Sequence, residues 1–251
     1  RHQMLLALIF ATPVRDGPTA LGYWRPVQPQ LDCVALVSTS CQTQAQCNND
    51  TEAIDAVQLA LAHGCHAHVF SKGVACAQPP GFGFPGVHCE LKRNVGREFG
   101  NLLDYIVEHY DNLPKRLINV PMPLHSHARR PLYLDVLNTT KDFLCSEGGP
   151  MRELGNFTFR WYSGFPAGSM PAKYVIPAKV EPMEKFSSHY LGRYDPEEKM
   201  CLGGLFGTSR HLIRQRPRRT YEQLQAEVNV GDTVEAGHFM EHLARVAFGG
   251  V

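Results

Sequence analysis

Asp32-Cys33-Val34-Ala35-Leu36-Val37-Ser38-Thr39 is an unbroken, largely apolar run of strand length, and it constrains the fold more than any other feature of the chain. A strand with one face in water alternates polar and apolar residues. A strand apolar on both faces needs cover on both, which is the condition of a buried parallel sheet. The sequence that follows supplies such cover. Thr51 to His63 has helical spacing, with Ile54, Val57 and Leu61 on one face and Gly64 as a stop signal. His66-Ala67-His68-Val69-Phe70 then reads as a second strand. Strand, helix and strand make a βαβ unit and place the chain in the α/β class.

The pattern continues. A Gly/Pro loop spans Gln78 to Gly86, and Val87-His88-Cys89-Glu90-Leu91 reads as a third short strand. Glu98 to Tyr110 carries Phe99, Leu102, Leu103, Ile106, Val107 and Tyr110, all on one helical face that would pack on the sheet. Asp111-Asn112-Leu113-Pro114 stops this helix, and Arg116-Leu117-Ile118-Asn119-Val120 begins a strand that runs to Leu124-His125-Ser126-His127. Residues 145 to 200 show no readable periodicity. In the last fifty residues Ser209 caps a short helix that Pro217 ends, and Pro217 opens another through Val228. Asp232-Thr233-Val234-Glu235 has the form of a capping box for a final helix to about Phe248. Residues 13 to 30, rich in Pro, Gly and Gln, have no period. The expected organisation is an N-terminal arm or linker over 1–30 and a single α/β domain over 31–251, with a mostly parallel sheet and a helical C-terminal subregion.

A formal net charge of +1 gives no electrostatic basis for bulk nucleic-acid binding. The eight cysteines contain no CxxC pair, which argues against a zinc ribbon. An even count suits disulfides in an oxidising compartment; the alternative is buried thiols. Sequons at Asn49, Asn138 and Asn156 fit the oxidising reading. The expected location is therefore the secretory pathway, in the Golgi lumen or outside the cell, or else another organelle lumen. The apolar start, Arg1 to Thr12, is too short to span a bilayer. It reads as a buried strand or helical turn, or as the worn end of a signal or anchor segment.

Several clusters could carry chemistry. His125-x-His127 would put both imidazoles on one side of a strand, either as a metal-ligand pair or as a solvated rim. His66-x-His68 has the same spacing inside a βαβ strand and reads as a structural pair. His238-Phe239-Met240-Glu241-His242 fits an inverted zincin pattern, but the residues after His242 hold no further ligand. His238, Glu241, His242 and Arg245 then form a polar stripe that is solvated or faces a site. Arg210, Arg214, Arg216, Arg218 and Arg219 form a charge run that reads as a solvated face. No Gly-x-Ser-x-Gly elbow is present.

Two stretches resemble a known family. Asn94-Val95-Gly96-Arg97-Glu98 with Tyr105 through Pro114, then Leu124-His125-Ser126-His127-Ala128-Arg129, is similar to the family called domain of unknown function 3431. Gly204 through Arg210, Ile213 through Arg218 with Tyr221, and Phe239-Met240-Glu241 with Phe248-Gly249 match its C-terminal pattern. Phe70-Ser71-Lys72-Gly73 is a weaker echo. The resemblance implies a remote relation to glycosyltransferases of the GT-A fold, a Rossmann-like sheet that binds nucleotide sugars. It implies Arg97 as a phosphate clamp, with Asn94 and Arg210 as further substrate contacts. Glu98 or Glu241 would be the general base for an acceptor hydroxyl, and His125 and His127 would hold a divalent metal such as Mn or Mg. The expected partners are a nucleotide sugar and a glycan or protein acceptor, with no nucleic acid, and a membrane only through a missing N-terminal anchor.

Three departures accompany the resemblance, the first being that the family's Trp and His near the C-terminus are Ala244 and Arg245 here. The family's acidic first-strand turn is Ser38-Thr39-Ser40-Cys41 here, and no Asp-x-Asp occurs in the chain. These departures set up a rival expectation: a catalytically inactive member of the fold, serving as a structural or binding subunit of a larger assembly.

Overall fold

A computed structural model describes residues 31–40, 46, 50–73, 85–124, 129–147, 153–156, 175–232 and 234–250. Its centre is a six-stranded sheet of β1 (Cys33–Ser40), β2 (His66–Lys72), β3 (Val87–Lys92), β4 (Arg116–Pro121), β5 (Phe143–Glu147) and β6 (Cys201–Ser209). The strand order is β3-β2-β1-β4-β6-β5. The first four neighbours are parallel, and β6 is antiparallel to both β4 and β5. The α/β class and the mostly parallel, Rossmann-like sheet are as expected.

The apolar run of β1 is covered on both faces because alternate residues enter separate cores. Val34 and Leu36 join Phe70, Leu117 and Phe206 on one face, whereas Ala35 and Val37 join Ala67, Val69, Ile118 and Val120 on the other. The second face lies under α1 (Thr51–Ala62) and α3 (Arg129–Asn138). The small buried residues Ala53, Ala56 and Ala60 of α1 suit a close approach to the sheet. The first face lies under α2 (Arg97–His109), α4 (Met183–Leu191), α6 (Arg218–Val228), α7 (Glu235–His242) and α8 (Ala244–Phe248). The amphipathic stripe of α2 packs as its spacing requires, with Phe99, Leu102, Leu103 and Ile106 buried.

Disulfides fasten both ends of the sheet sequence. Cys33–Cys65 ties the start of β1 to the turn before β2, and Cys145–Cys201 joins β5 to β6. Closing loops of 32 and 56 residues stabilises by about 3–4 kcal/mol each through the entropy of the unfolded chain. Cys89 is disulfide-bonded as well. Among the described residues, no helix is long and apolar enough to cross a membrane.

Three sequence expectations need correction. The final helix is broken at Leu243 into α7 and α8, and Val234 occupies its N-cap, so no capping-box side chain holds that end. Ser209 does cap the short α5 (Arg210–Ile213), accepting from the Leu212 N–H, and Pro217 stands at the N-cap of α6. The arginine run is not simply a solvated face. Buried Arg216 donates to the carbonyls of Leu191, Val246 and Ala247, which lie at the ends of α4 and α8. Arg214 donates to Tyr110 and Asp111. These guanidiniums satisfy carbonyls that helix ends leave without an intrahelical partner.

Candidate functional site

In a doubly wound sheet the crevice opens where the strand order reverses, at the carboxyl ends of the strands. Here that point lies between β1 and β4. A pocket of 230 Å³ opens there, with Ser38, Thr39 and Ser40 from β1, Lys72 from β2, and Pro121 and Met122 at the end of β4. Asn94, Arg97 and Glu98, from the start of α2, form the opposite wall with Asp232.

The start of α2 is shaped by close packing. Gly96 has φ of 65°, and a Cβ there would collide with Asn229 Oδ1 and come within 2.8 Å of the Gly100 Cα. The Gly96 N–H donates to the Gly231 carbonyl at 2.7 Å. The glycine is therefore required by both conformation and contact. Arg97 also has positive φ, 47°, which is uncommon for a residue with a side chain and costs about 1–2 kcal/mol. The N-cap residue Gly96 has no side chain to cap this helix end, and the Glu98 carboxylate accepts from its own backbone N–H in the first turn.

Lys72 holds the same turn from below. It is only 5% exposed, and its Nζ donates to the Val95 carbonyl at 2.8 Å and to the Arg97 carbonyl at 2.5 Å. An ammonium has three donors, so one is left for the pocket. Burial lowers its pKa to about 8, against the pull of Glu98, Asp232 and Asp104. The Arg97 guanidinium lies 3.4 Å from His238 Nδ1. Burial, then the charges of Arg97 and His242, lower the His238 pKa to about 4, so it accepts this bond as a neutral ring.

Two carboxylates meet beside this cation pair. Burial pushes the Glu98 carboxyl up, Arg97 pulls it down, and Glu241 pushes it up again. Glu241 accepts from the Gly203 N–H at 3.0 Å, and Glu98 Oε1 lies against Gly204. The stripe on α7 thus faces the site and is buried at His238 and His242, so it is not a solvated face.

At the β1 turn, Ser38 Oγ accepts from Asn101 at 2.9 Å, and the Thr39 hydroxyl donates to Asp50 Oδ2 at 2.5 Å. The acidic group absent from the turn itself is thus brought to it by the N-cap of α1.

The fold brings Asn94, Arg97, Glu98 and Glu241 together. Arg210 lies elsewhere. Its neighbour Ser209 pairs with Arg116 at the far end of β4, about 16 Å along the strand from Pro121, and its guanidinium donates to the Leu113 carbonyl. His125 and His127 lie outside the described residues. Lys72, Asp232 and Asp50 were not singled out from the sequence. Lys72 was legible only as part of Phe70-Ser71-Lys72-Gly73, Asp232 only as a capping-box residue, and Asp50 carries no signal beyond its charge.

No family model matches the chain, so membership in the family its motifs resemble is not shown. No curated protein matches it either. Among solved structures, the chain is similar to the galactosyltransferase LgtC, a structure in complex with donor and acceptor sugar analogs. The identity is 10%, over 87% of this chain and 72% of that one, with a TM-score of 0.33. A likeness that weak decides nothing about this chain's chemistry.

Proposed function

We propose that the strand-end pocket binds the diphosphate of a nucleotide sugar and that the chain is a glycosyltransferase-like protein acting on a hydroxyl acceptor of a glycan or protein. The observation that carries this reading is the convergence of buried Lys72, Arg97 and the start of α2 at the switch point of the sheet. Two cations suit two phosphates, and guanidinium grips phosphate in a bidentate fork. In the transfer, the acceptor oxygen bonds to the anomeric carbon. The bond from that carbon to the diphosphate oxygen breaks, and its electron pair leaves with the diphosphate. The hydroxyl proton passes to Glu98, whose raised pKa makes it a stronger base than an ordinary carboxylate. Glu241 assists by pressing on Glu98. Asn94 contacts the substrate from the rim. A divalent Mn or Mg ion would neutralise the leaving diphosphate, with His125 and His127 as the proposed ligands; Arg210 is left out of the contact set.

The disulfides and the exposed sequon residue Asn138 support a secretory-pathway location. The rival reading, a non-catalytic subunit, is favoured by one observation: Lys72 already spends two donors holding the α2 turn. Thermal unfolding against a panel of nucleoside diphosphates, with and without Mn²⁺, separates the two. A transferase gives a shift with at least one nucleotide, lost in Arg97→Ala and in Lys72→Met. No shift across the panel leaves the subunit reading.

A further inference from the structure

The other end of α2 covers a second cavity, of 680 Å³, on the face of the sheet rather than at its ends. Strands β2 and β3 pair in parallel with His68 beside His88 and Phe70 beside Glu90. Because side chains alternate along a strand, His68, His88 and Glu90 share one face, two side by side and the third one pleat along. A sheet face beneath a helix is ordinarily apolar, so three polar ligands gathered there call for an explanation.

Their geometry supplies one. One nitrogen from each imidazole and one Glu90 oxygen all lie within 4.8 Å of one another. His68 Nε2 is already 3.3 Å from Glu90 Oε2. Donors at about 2.0–2.1 Å from one tetrahedral ion stand about 3.4 Å apart, so side-chain shifts of about 1 Å on each side close the set. The His68 ring is fixed by stacking on Phe70 at 4.4 Å and by the edge of Tyr105 at 5.4 Å. Glu90 Oε1 is held by Lys92 Nζ at 2.7 Å, which orients the carboxylate. His109, at the end of α2, lines the same cavity.

We infer that His68, His88 and Glu90 form a binding site for a divalent transition metal, with solvent completing the coordination. Two imidazoles and one carboxylate select ions of the zinc, copper and cobalt class over magnesium or calcium. The site is separate from the pocket of the proposed transfer. His68 and Lys72 are four residues apart on β2, about 13 Å, so a metal held here does not reach a diphosphate at Lys72.

The test is titration of the whole, disulfide-intact chain with Co²⁺, read by its visible absorption, and with Zn²⁺, read by calorimetry. One ion per chain should bind at His68, His88 and Glu90, counted as the sites lost in His88→Ala. His88→Ala and Glu90→Gln should each weaken Zn²⁺ at least tenfold, while His125→Ala/His127→Ala leaves this affinity unchanged. His88 is exposed on an edge strand and Glu90→Gln keeps the side-chain shape, so both variants should retain the wild-type circular dichroism. Absence of binding at millimolar Zn²⁺ overturns the proposal. So does affinity that survives His88→Ala and Glu90→Gln, or that disappears in His125→Ala/His127→Ala.

Discussion

The two ends of helix α2 serve two different kinds of pocket. At its start, ligand groups come from the ends of β1, β2 and β4 and from a strained turn, with Lys72, Arg97 and Glu98 converging. At its far end they come from the face of β2 and β3, with histidines set by the pleat. The first pocket is made by topology and the second by register. Topology gathers residues distant in sequence and tolerates varied chemistry at the rim. Register fixes neighbours at strand spacing and so suits a small ion.

Substitutions at the start of α2 should have the largest effect on this contrast. Gly96→Ala should cost about 3 kcal/mol, from left-handed strain and the clash with Asn229, measurable by urea unfolding. It should also abolish any nucleotide-induced thermal shift while leaving Zn²⁺ binding intact. Loss of both together would mean the two pockets are not independent.

Lys72 comes next. Its folded pKa of about 8 lies below the ordinary 10.5, so between those values the unfolded chain holds the extra proton. Stability should therefore rise as pH climbs from 8 to 10.5, by on the order of 2–3 kcal/mol, and stay level below pH 8, where both states hold the proton. Lys72→Met should flatten this rise in denaturant titrations. An unchanged slope would place the ammonium in water.

His238 gives the acid counterpart. Its folded pKa of about 4 lies below 6.5, so stability is fully present above pH 6.5 and is lost as pH falls toward 4. The expected loss is on the order of 2 kcal/mol, and His238→Gln should remove it while keeping an acceptor for Arg97. Other groups titrate in the same range, so the difference between the two proteins is the quantity to measure. The smallest effect is expected at Arg210. Arg210→Ala should cost about 1 kcal/mol, through its bond to Leu113, and leave nucleotide binding unchanged. A loss of nucleotide response in that variant would break the assignment of the site to the other end of β4.

Much of the scaffold was readable. The strands expected at 32–39, 66–70, 87–91 and from Arg116, with the helices at 51–63 and 98–110, follow from apolar runs and helical spacing, although β4 ends at Pro121 and does not run on toward His127. Strand β6 was harder, because Cys201-Leu202-Gly203-Gly204-Leu205-Phe206-Gly207 is glycine-rich and weak in strand propensity. Its place is set by antiparallel pairing on both sides, which no local pattern reveals. The site was half legible. Arg97, Asn94 and Glu98 are adjacent in sequence and remain together in space. Lys72 and Asp232 join them only through the sheet and the packing of the C-terminal helices. Arg210 lies in a matched motif as Arg97 does, but β6 runs opposite to β4 and carries it to the other end of the strands.

The sequence by itself determined that this chain builds a covered, mostly parallel sheet, because an apolar run such as Val34–Val37 has no other stable place. It also determined the turn at Gly96, since only glycine accepts that combination of positive φ and close contact. Tertiary structure alone decided which charges meet. Electrostatic partners are chosen by distance in space, and strand order and strand direction set that distance. The same β2 strand therefore delivers a lysine to one pocket and a histidine to another.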